Sequence, residues 1–292
     1  MCCVLVPARS AGPGEVVSDL PGPDLIAIPA RFGSKRLPGK PLVEIAGRTL
    51  LERVVDVARR AARLAGGADL AVVTDDARIA SHARALGCPA VMTEAGIESG
   101  SGRVHAAASL RAHAPGIVVN LQGDAPFVPP VVVAGLIAAL RASAAGVATP
   151  VVRLGWDALD ALRAHKASAP FSGTTCVRDA QGRALWFSKK ILPAIPDEAA
   201  RHAQDPFSPV YRHLGVYAYR LAALARFEEL PVGTYEAIEG LEQLRFLENG
   251  IDVLTVPVDA PRHDMSGIDT PADVALAERL IARFGDPFGE PS

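Results

Sequence analysis

Arg31, Lys35, Arg36 and Lys40 fall within ten residues of the stretch IPARFGSKRLPGKPL (Ile28–Leu42), with no acid among them. Two glycines and two prolines punctuate the part from Arg31 to Leu42. Glycines let a backbone approach a ligand closely, and consecutive amides cradle phosphate oxygens. Arginine adds a planar fork and lysine a point charge. The composition therefore suits local anion binding. Neither G-x-x-x-x-G-K-[ST] nor G-x-G-x-x-G occurs there, so the standard phosphate fingerprints are absent. A solvated loop stiffened by proline is the competing reading.

Two carboxylates stand out elsewhere. Asp124 follows an apolar run in VVNLQGDAP, and Asp269 precedes a helix start in MSGIDTPAD. Mg²⁺ takes oxygen ligands and commonly bridges to phosphates. Each aspartate has an ordinary explanation as well, a turn beside Gly123 for one and helix-start chemistry for the other. Two carboxylates beside a basic loop would compose a metal–triphosphate site.

For those residues to meet, the elements carrying them must share one sheet edge. LIAIP is a continuous apolar run, as expected for a strand buried on both faces. TLLERVVDVARRAARLA reads as a helix, with arginines near the end that faces its negative pole. LAVVTDD, AVMT, GIVVNLQGD and GVATPVV read as further strands. ARIASHARALG, GRVHAAASLRAHA and VVVAGLIAALRAS read as the helices between them. This alternation predicts an α/β fold with a doubly wound, mostly parallel sheet. Ligands bind such sheets outside the carboxyl ends of the strands, where the basic loop and Asp124 would lie.

After about residue 153 the periodicity loosens. TTCVRDAQGRALWFS reads as two strands around a turn at Asp179–Gly182, and IPDEAARHAQDPFSP as a polar loop. HLGVYAYR reads as one half-buried strand and YEAIEGLEQLRFLENG as one helix. IDVLTVPV is a strand, and TPADVALAERLIARFG a closing helix capped by Thr270. The expected organisation is an irregular extension over 1–23 and a single domain over 24–292. A hairpin-rich insertion occupies about 153–232.

Composition narrows the function classes. With 292 residues and 49% hydrophobic content, the chain can bury a substantial core. A formal charge of −2 argues against a nucleic-acid partner, so anion recognition should be local. No apolar run approaches the ~20 residues that cross a bilayer. The start, MCCVLVPARS, is a poor signal peptide. Cys2, Cys3, Cys88 and Cys176 are too few and scattered for a disulfide scaffold or a zinc site. A cytoplasmic location and no membrane partner follow as expectations. A nucleotide-dependent oxidoreductase is discarded for want of its glycine fingerprint.

Seven blocks in order then carry a resemblance. They are IPARFGSKRLPGKPLVEIAGRTLLERVVDVA, VVTDDARIASHARALG, MTEAGIESGSGRVHAAA, VVNLQGDAPFVPP, HLGVYAYR, LEQLRFLENG and GIDTPADVALAE. Over about residues 25–280 the chain resembles the 3-deoxy-manno-octulosonate (Kdo) cytidylyltransferases, the CMP-Kdo synthetases. The resemblance implies a Rossmann-like nucleotidyltransferase fold whose insertion serves dimerisation and sugar binding. It implies CTP as donor, a 2-keto sugar acid as acceptor, Mg²⁺ as cofactor, pyrophosphate as a product and a homodimer. Arg31, Ser34, Lys35, Arg36 and Lys40 would surround the CTP phosphates, with Ser101, Arg103 and Gln122 near the nucleotide. Asp124 and Asp269 would hold Mg²⁺ and, with Lys40, form the catalytic group. Lys189, His213, Tyr217, Glu242 and Gln243 would line the sugar-acid site. No side-chain general base is assigned.

Three departures from the family's pattern fall near the site. Ala125 replaces the glutamate of QGDEP, Gly102 replaces the glutamate of SGTER, and Lys189 replaces the arginine of YFSR. Loss of two acids would weaken a second metal site, with Asp264 as a speculative substitute. An enzyme retuned to another acidic acceptor (an amino-Kdo, a sialic-type acid or a phosphonate) and an inactive nucleotide-binding homologue both stay open. The retained Asp124, Asp269, Lys40 and Arg31 favour an active enzyme.

Overall fold

A computed structural model describes residues 22–34, 36–265 and 267–289. The extension expected over 1–23 therefore lies outside the described residues except for its last two, as do Cys2, Cys3 and Lys35. The regular chain begins with β1 (Leu25–Pro29). A 3-10 turn (Lys40–Leu42) and the ladder of β2 (Glu44–Ile45) with β3 (Arg48–Thr49) lead into α1 (Leu50–Leu64). Next come β4 (Asp69–Thr74), α2 (Ala77–Ala85), β5 (Ala90–Met92), α3 (Gly100–Ser109), β6 (Ile117–Asn120) and α4 (Pro130–Arg141). They are followed by β7 (Val147–Gly155), α5 (Trp156–Ser168), β8 (Thr175–Arg178), β9 (Ala184–Ser188), α6 (Glu198–Gln204) and β10 (Phe207–His213). The chain closes with β11 (Tyr217–Arg220), α7 (Leu221–Glu229), α8 (Thr234–Glu239), α9 (Gln243–Glu248), β12 (Val253–Pro257) and α10 (Pro271–Phe284).

One sheet runs in the order β5-β4-β1-β6-β11-β7-β10-β8-β9, with β12 also paired to β7. β5, β4, β1 and β6 are mutually parallel, and β12 is parallel to β7. The other pairings are antiparallel, so the sheet is mixed and not mostly parallel as expected. The cause lies in the connections. The short turn Asp179–Arg183 between β8 and β9 reverses the chain, and β10 and β11, which follow, run antiparallel to β7. The hairpin strands thus extend the same sheet instead of forming a layer of their own.

The apolar run of β1 does what its composition requires. Ile26 and Ile28 pack on one face with Leu51, Val54 and Ala58 of α1 and Leu136 and Ile137 of α4. Leu25 and Ala27 pack on the other, with Val104 and Ala107 of α3, Phe227 of α7 and Phe246 of α9. Successive side chains on a strand point to opposite faces, so a strand between two helical layers must be apolar throughout.

Helix starts follow local capping chemistry. Thr49 Oγ1 accepts from the Glu52 amide at 3.1 Å. The Asp76 carboxylate accepts from the amides of Arg78 and Ile79 and from the Arg78 guanidinium. The Arg78 side chain first, and then the amides, pull its pKa down to about 2. Thr270 and Asp273 form a reciprocal capping box, with Pro271 inside the first turn of α10. Asp273 Oδ2 also accepts from the backbone amide of Asp269 at 3.0 Å, which fixes that residue's position.

Four elements differ from the sequence expectations. HLGVYAYR is not one strand: β10 ends at His213 and β11 starts at Tyr217. YEAIEGLEQLRFLENG is two helices, because Gly240 takes a left-handed conformation (φ 61°) and its amide closes α8 on Glu236 O. The polar stretch 195–209 contains α6, and α5 occupies the region of loosened periodicity. α6 buries no residue, so no apolar stripe marked it.

Phe246 is 2% exposed and stacks on Phe227 at 4.6 Å and on Tyr219 at 5.9 Å, tying α9 to α7 and the sheet. Phe246→Ala is expected to cost about 3–5 kcal/mol, read by urea unfolding. A loss below ~1 kcal/mol would contradict this packing role.

Candidate active site

The cleft sits where the carboxyl ends of β1 and β6 open. It encloses about 260 Å³, and its walls include Pro29, Ala30, Arg31, Gly33, Ser34 and Lys40 from the basic loop. Gly100 and Arg103 come from α3, and Gln122, Gly123 and Asp124 from the segment after β6. Close approach makes this possible. A Cβ on Gly123 would lie 2.5 Å from the carbonyl oxygen of Pro29, so only glycine lets the two strand ends pass. The N-terminus of α3 reaches the same cleft through Gly100 and presents partial positive charge to anions.

Lys40 organises the cleft. Its Nζ lies 2.6 Å from Asp124 Oδ2 and 3.1 Å from Asp269 Oδ1. Arg36 reaches the other oxygen of Asp269 at 3.0 Å. Burial disfavours the Lys40 ammonium, but the charges and hydrogen bonds of Asp124 and Asp269 outweigh it and raise its pKa. Two carboxylates distant in sequence thus share one cation. Backbone bonding supports the junction, since the Ile268 amide donates to Asp124 O at 2.9 Å. Among the described residues no group of three or more His, Cys, Asp and Glu could hold a metal. Two carboxylates completed by phosphate oxygens is the donor set Mg²⁺ accepts, and the Lys40 ammonium lies between these two.

The remaining residues expected near the nucleotide divide. The Arg31 guanidinium donates to the Glu98 carbonyl, which folds the basic loop against the segment before α3. Ser34 Oγ accepts from the Leu37 amide at 3.3 Å, shaping the loop itself. Gln122 Nε2 donates to Asn120 Oδ1 at 3.3 Å. Arg103 lines the cleft yet is 1% exposed, and its guanidinium is committed to Thr93 and Asp75, each at 2.9 Å. It holds α3 to the β4 and β5 ends. Asp264 pairs with Arg212 at 2.6 Å and is not brought to Asp124 and Asp269.

A second group gathers beyond α3. Ser101 Oγ donates to Glu242 at 2.9 Å, so Ser101 faces this group and links it to the cleft. Glu242 caps α9 and Gln243 is its first residue; Gln243 is 4% exposed and its Nε2 has no partner among the described residues. His213 meets Phe187 edge-on at 5.2 Å and tilts over Tyr217 at 5.4 Å. Tyr217 stacks on Tyr219 at 5.9 Å, continuing the series to Phe246. Burial raises the Tyr217 phenol well above its usual value and lowers the His213 imidazole to about 3. Lys189 is set by the Glu239 carboxylate, which accepts from its amide at 2.9 Å. Its Nζ lies 3.0 Å from the point a Cβ on Gly240 would occupy, close to α9.

At Gly102 a Cβ would meet Glu228 Oε2 and Ser99 Oγ, each at 2.9 Å. The Glu228 carboxylate therefore occupies space beside the position that lacks an acid. Desolvation first, then the Glu242 charge, raise its pKa, and Arg245 opposes them.

Asn120 and Thr149 are the polar residues that sequence reasoning missed. Both are fully buried, Asn120 at the end of β6 opposite Tyr217, and Thr149 in β7 beside His213. The available signal was a polar residue inside an apolar strand run, in VVN and VATPVV.

A Cytidylyltransferase family model matches residues 25–253. A 3-deoxy-manno-octulosonate cytidylyltransferase of Maricaulis maris is 39% identical, covering 90% of this chain and 98% of that protein. The enzyme of the same name from Nitratidesulfovibrio vulgaris is 40% identical over 87% and 94%. An 8-amino-3,8-dideoxy-manno-octulosonate cytidylyltransferase of Shewanella loihica is 36% identical over 88% and 98%. Among solved structures, a CMP:2-keto-3-deoxy-manno-octonic acid synthetase complexed with CTP superposes with a TM-score of 0.73 at 34% identity. That match covers 90% of this chain and 99% of the other.

Gly123→Ala should force the Pro29 carbonyl away and cost about 1–3 kcal/mol, visible as a lower urea midpoint; an unchanged midpoint would refute the close approach. The depressed His213 pKa has a signed consequence. An unfolded histidine binds a proton below about 6.5, while the folded ring waits until about 3. This group's contribution to stability therefore falls as pH drops from about 6.5 toward 3. An NMR titration should find the ring neutral at pH 5, and a midpoint near 6.5 would be the contrary result.

Proposed function

Because the chain belongs to the cytidylyltransferase family and is a nucleotidyltransferase of the 3-deoxy-manno-octulosonate type, we propose that it transfers CMP from CTP to the anomeric hydroxyl of Kdo, using Mg²⁺ and releasing pyrophosphate. The observation that carries this reading is the convergence of Asp124 and Asp269 on Lys40 at the wall of a cationic, glycine-lined cleft.

In this reading Arg31, Ser34, Arg36 and Lys40 receive the triphosphate, with Lys35 assigned only by family pattern. The acceptor lies beyond α3 among Lys189, His213, Tyr217, Glu242 and Gln243, with its anomeric oxygen directed at the α-phosphorus. That oxygen forms the new P–O bond, the bond to the β-phosphate breaks, and the hydroxyl proton passes to solvent. Asp124 and Asp269 would hold Mg²⁺, which would supply electrostatic polarisation to the transfer. Lys40 and Arg36 leave their carboxylate partners to meet charge growing on the departing pyrophosphate. Such transfers depend on positioning and charge neutralisation, in keeping with a site to which no side-chain nucleophile or general base is assigned. A second copy of the chain and a cytoplasmic setting belong to the same reading.

A second acceptor has a specific observation in its favour. Glu228 and Glu242 place two acids beside Ser101 and Gly102, which suits an ammonium on the acceptor. An 8-amino analogue of Kdo would supply one.

Pyrophosphate release is expected with CTP and Kdo in the presence of Mg²⁺, and chelation should abolish it. No release with Kdo, its 8-amino analogue, a sialic-type acid or a phosphonate would defeat the proposal. Lys40→Met is expected to lower kcat by roughly 10²–10³ with an unchanged circular dichroism spectrum. Asp124→Asn should remove turnover, and wild-type rates in that variant would refute the metal assignment.

A further inference from the structure

We infer that Thr149 is a positioning residue that fixes the proton of His213 on Nε2, so that His213 offers an unprotonated Nδ1 to a hydroxyl of the sugar acid. The acceptor half of this statement rests on the reading proposed above; the tautomer half stands on geometry alone.

The argument is an inventory of one proton. Thr149 is fully buried in β7. Its Oγ1 lies 2.8 Å from the carbonyl oxygen of Val216 and 2.8 Å from His213 Nε2, with Leu214 O farther away at 3.4 Å. A carbonyl oxygen only accepts, so the single hydroxyl proton of Thr149 goes to Val216. Thr149 then turns a lone pair toward His213, and Nε2 must be the donor. A neutral imidazole carries one ring proton, which leaves Nδ1 as an acceptor. Burial keeps the ring neutral, as its depressed pKa indicates. Phe187 and Tyr217 bracket the ring and restrict its rotation about the Nε2 contact.

The local backbone explains why Val216 O is available. β10 stops at His213 and β11 starts at Tyr217, so Val216 lies in the break between them. Thr149 side-chain bonding fills that break and links it to His213. The hydroxyl that meets His213 thus also bonds a carbonyl inside the strand break.

The consequence is a specificity rule. An acceptor Nδ1 welcomes an O–H and repels a carboxylate oxygen, since two lone pairs would face each other. His213 thus selects a polyol portion of the substrate and not its acid group. The carboxylate must be met by a cation, and Lys189 is the candidate on the same side of the molecule.

The test uses the full-length protein labelled with ¹⁵N at histidine, with the His213 ring signals identified by their loss in His213→Gln. In the ligand-free protein, long-range ¹H–¹⁵N correlation should show Nε2 protonated and Nδ1 bare. A proton on Nδ1, or averaging of the two tautomers, would overturn the inference, and this readout needs no variant to fold. Thr149→Val should produce that averaging and raise KM for the sugar acid about 5–10-fold, the loss of one neutral hydrogen bond. KM for CTP should stay the same. Thr149→Ser should restore both the tautomer and KM. An unchanged KM in Thr149→Val, or no rescue by serine, would count against the positioning role. Absence of wild-type turnover with every acidic acceptor would defeat the function proposed above while leaving the tautomer result intact. A proton on Nδ1 beside normal turnover would do the reverse.

Discussion

Two carboxylates held together by one ammonium form the constraint on which the site depends. Asp124 and Asp269 repel each other, and Lys40 makes their approach tolerable. Each partner comes from a different part of the chain. Lys40 opens the turn after the basic loop, Asp124 follows β6, and Asp269 precedes α10. The parallel pairing of β1 with β6 puts the first two on one edge. The capping box of α10, through the Asp269 amide, fixes the third. Breaking any of these supports would leave a charge partly buried without its partner, which is more costly than never having formed the pair.

The same constraint gives the cleft its polarity. Cations of the basic loop line the cleft together with a helix N-terminus, and Gly123 permits the close approach to Pro29 beside it. Positive charge is concentrated there, while the chain as a whole is close to neutral. Beyond α3 the surroundings change to rings and hydroxyls, with His213, Tyr217 and Tyr219 in series. Ser101 joins the two halves through Glu242. A cationic half and a half of rings and hydroxyls thus meet along one helix.

Departures from the family's pattern also have a spatial account. Gly102 lacks an acid, yet the Glu228 carboxylate lies against it. Lys189 retains positive charge near α9 without an arginine's fork. Ala125 has no structural explanation; its amide closes a turn on Gln122 O.

The sequence by itself determined the alternating α/β pattern, the buried central strand, the capped final helix and the grouping of cations in one loop. Those features are local: hydrophobic period, capping residues and composition all act within a few turns of chain. Only the tertiary structure decided that the sheet is mixed, because pairing direction depends on how distant strands return. It decided that HLGVYAYR breaks after His213, where the buried Thr149 hydroxyl bonds Val216 across the gap. It also sorted Arg103 into an internal pair and Lys40 into the centre of the site, although both read as basic residues in a ligand-binding stretch. A side chain's charge is legible in a sequence. Whether that charge meets a ligand or a buried carboxylate is set by which distant residue the fold brings within about 3 Å.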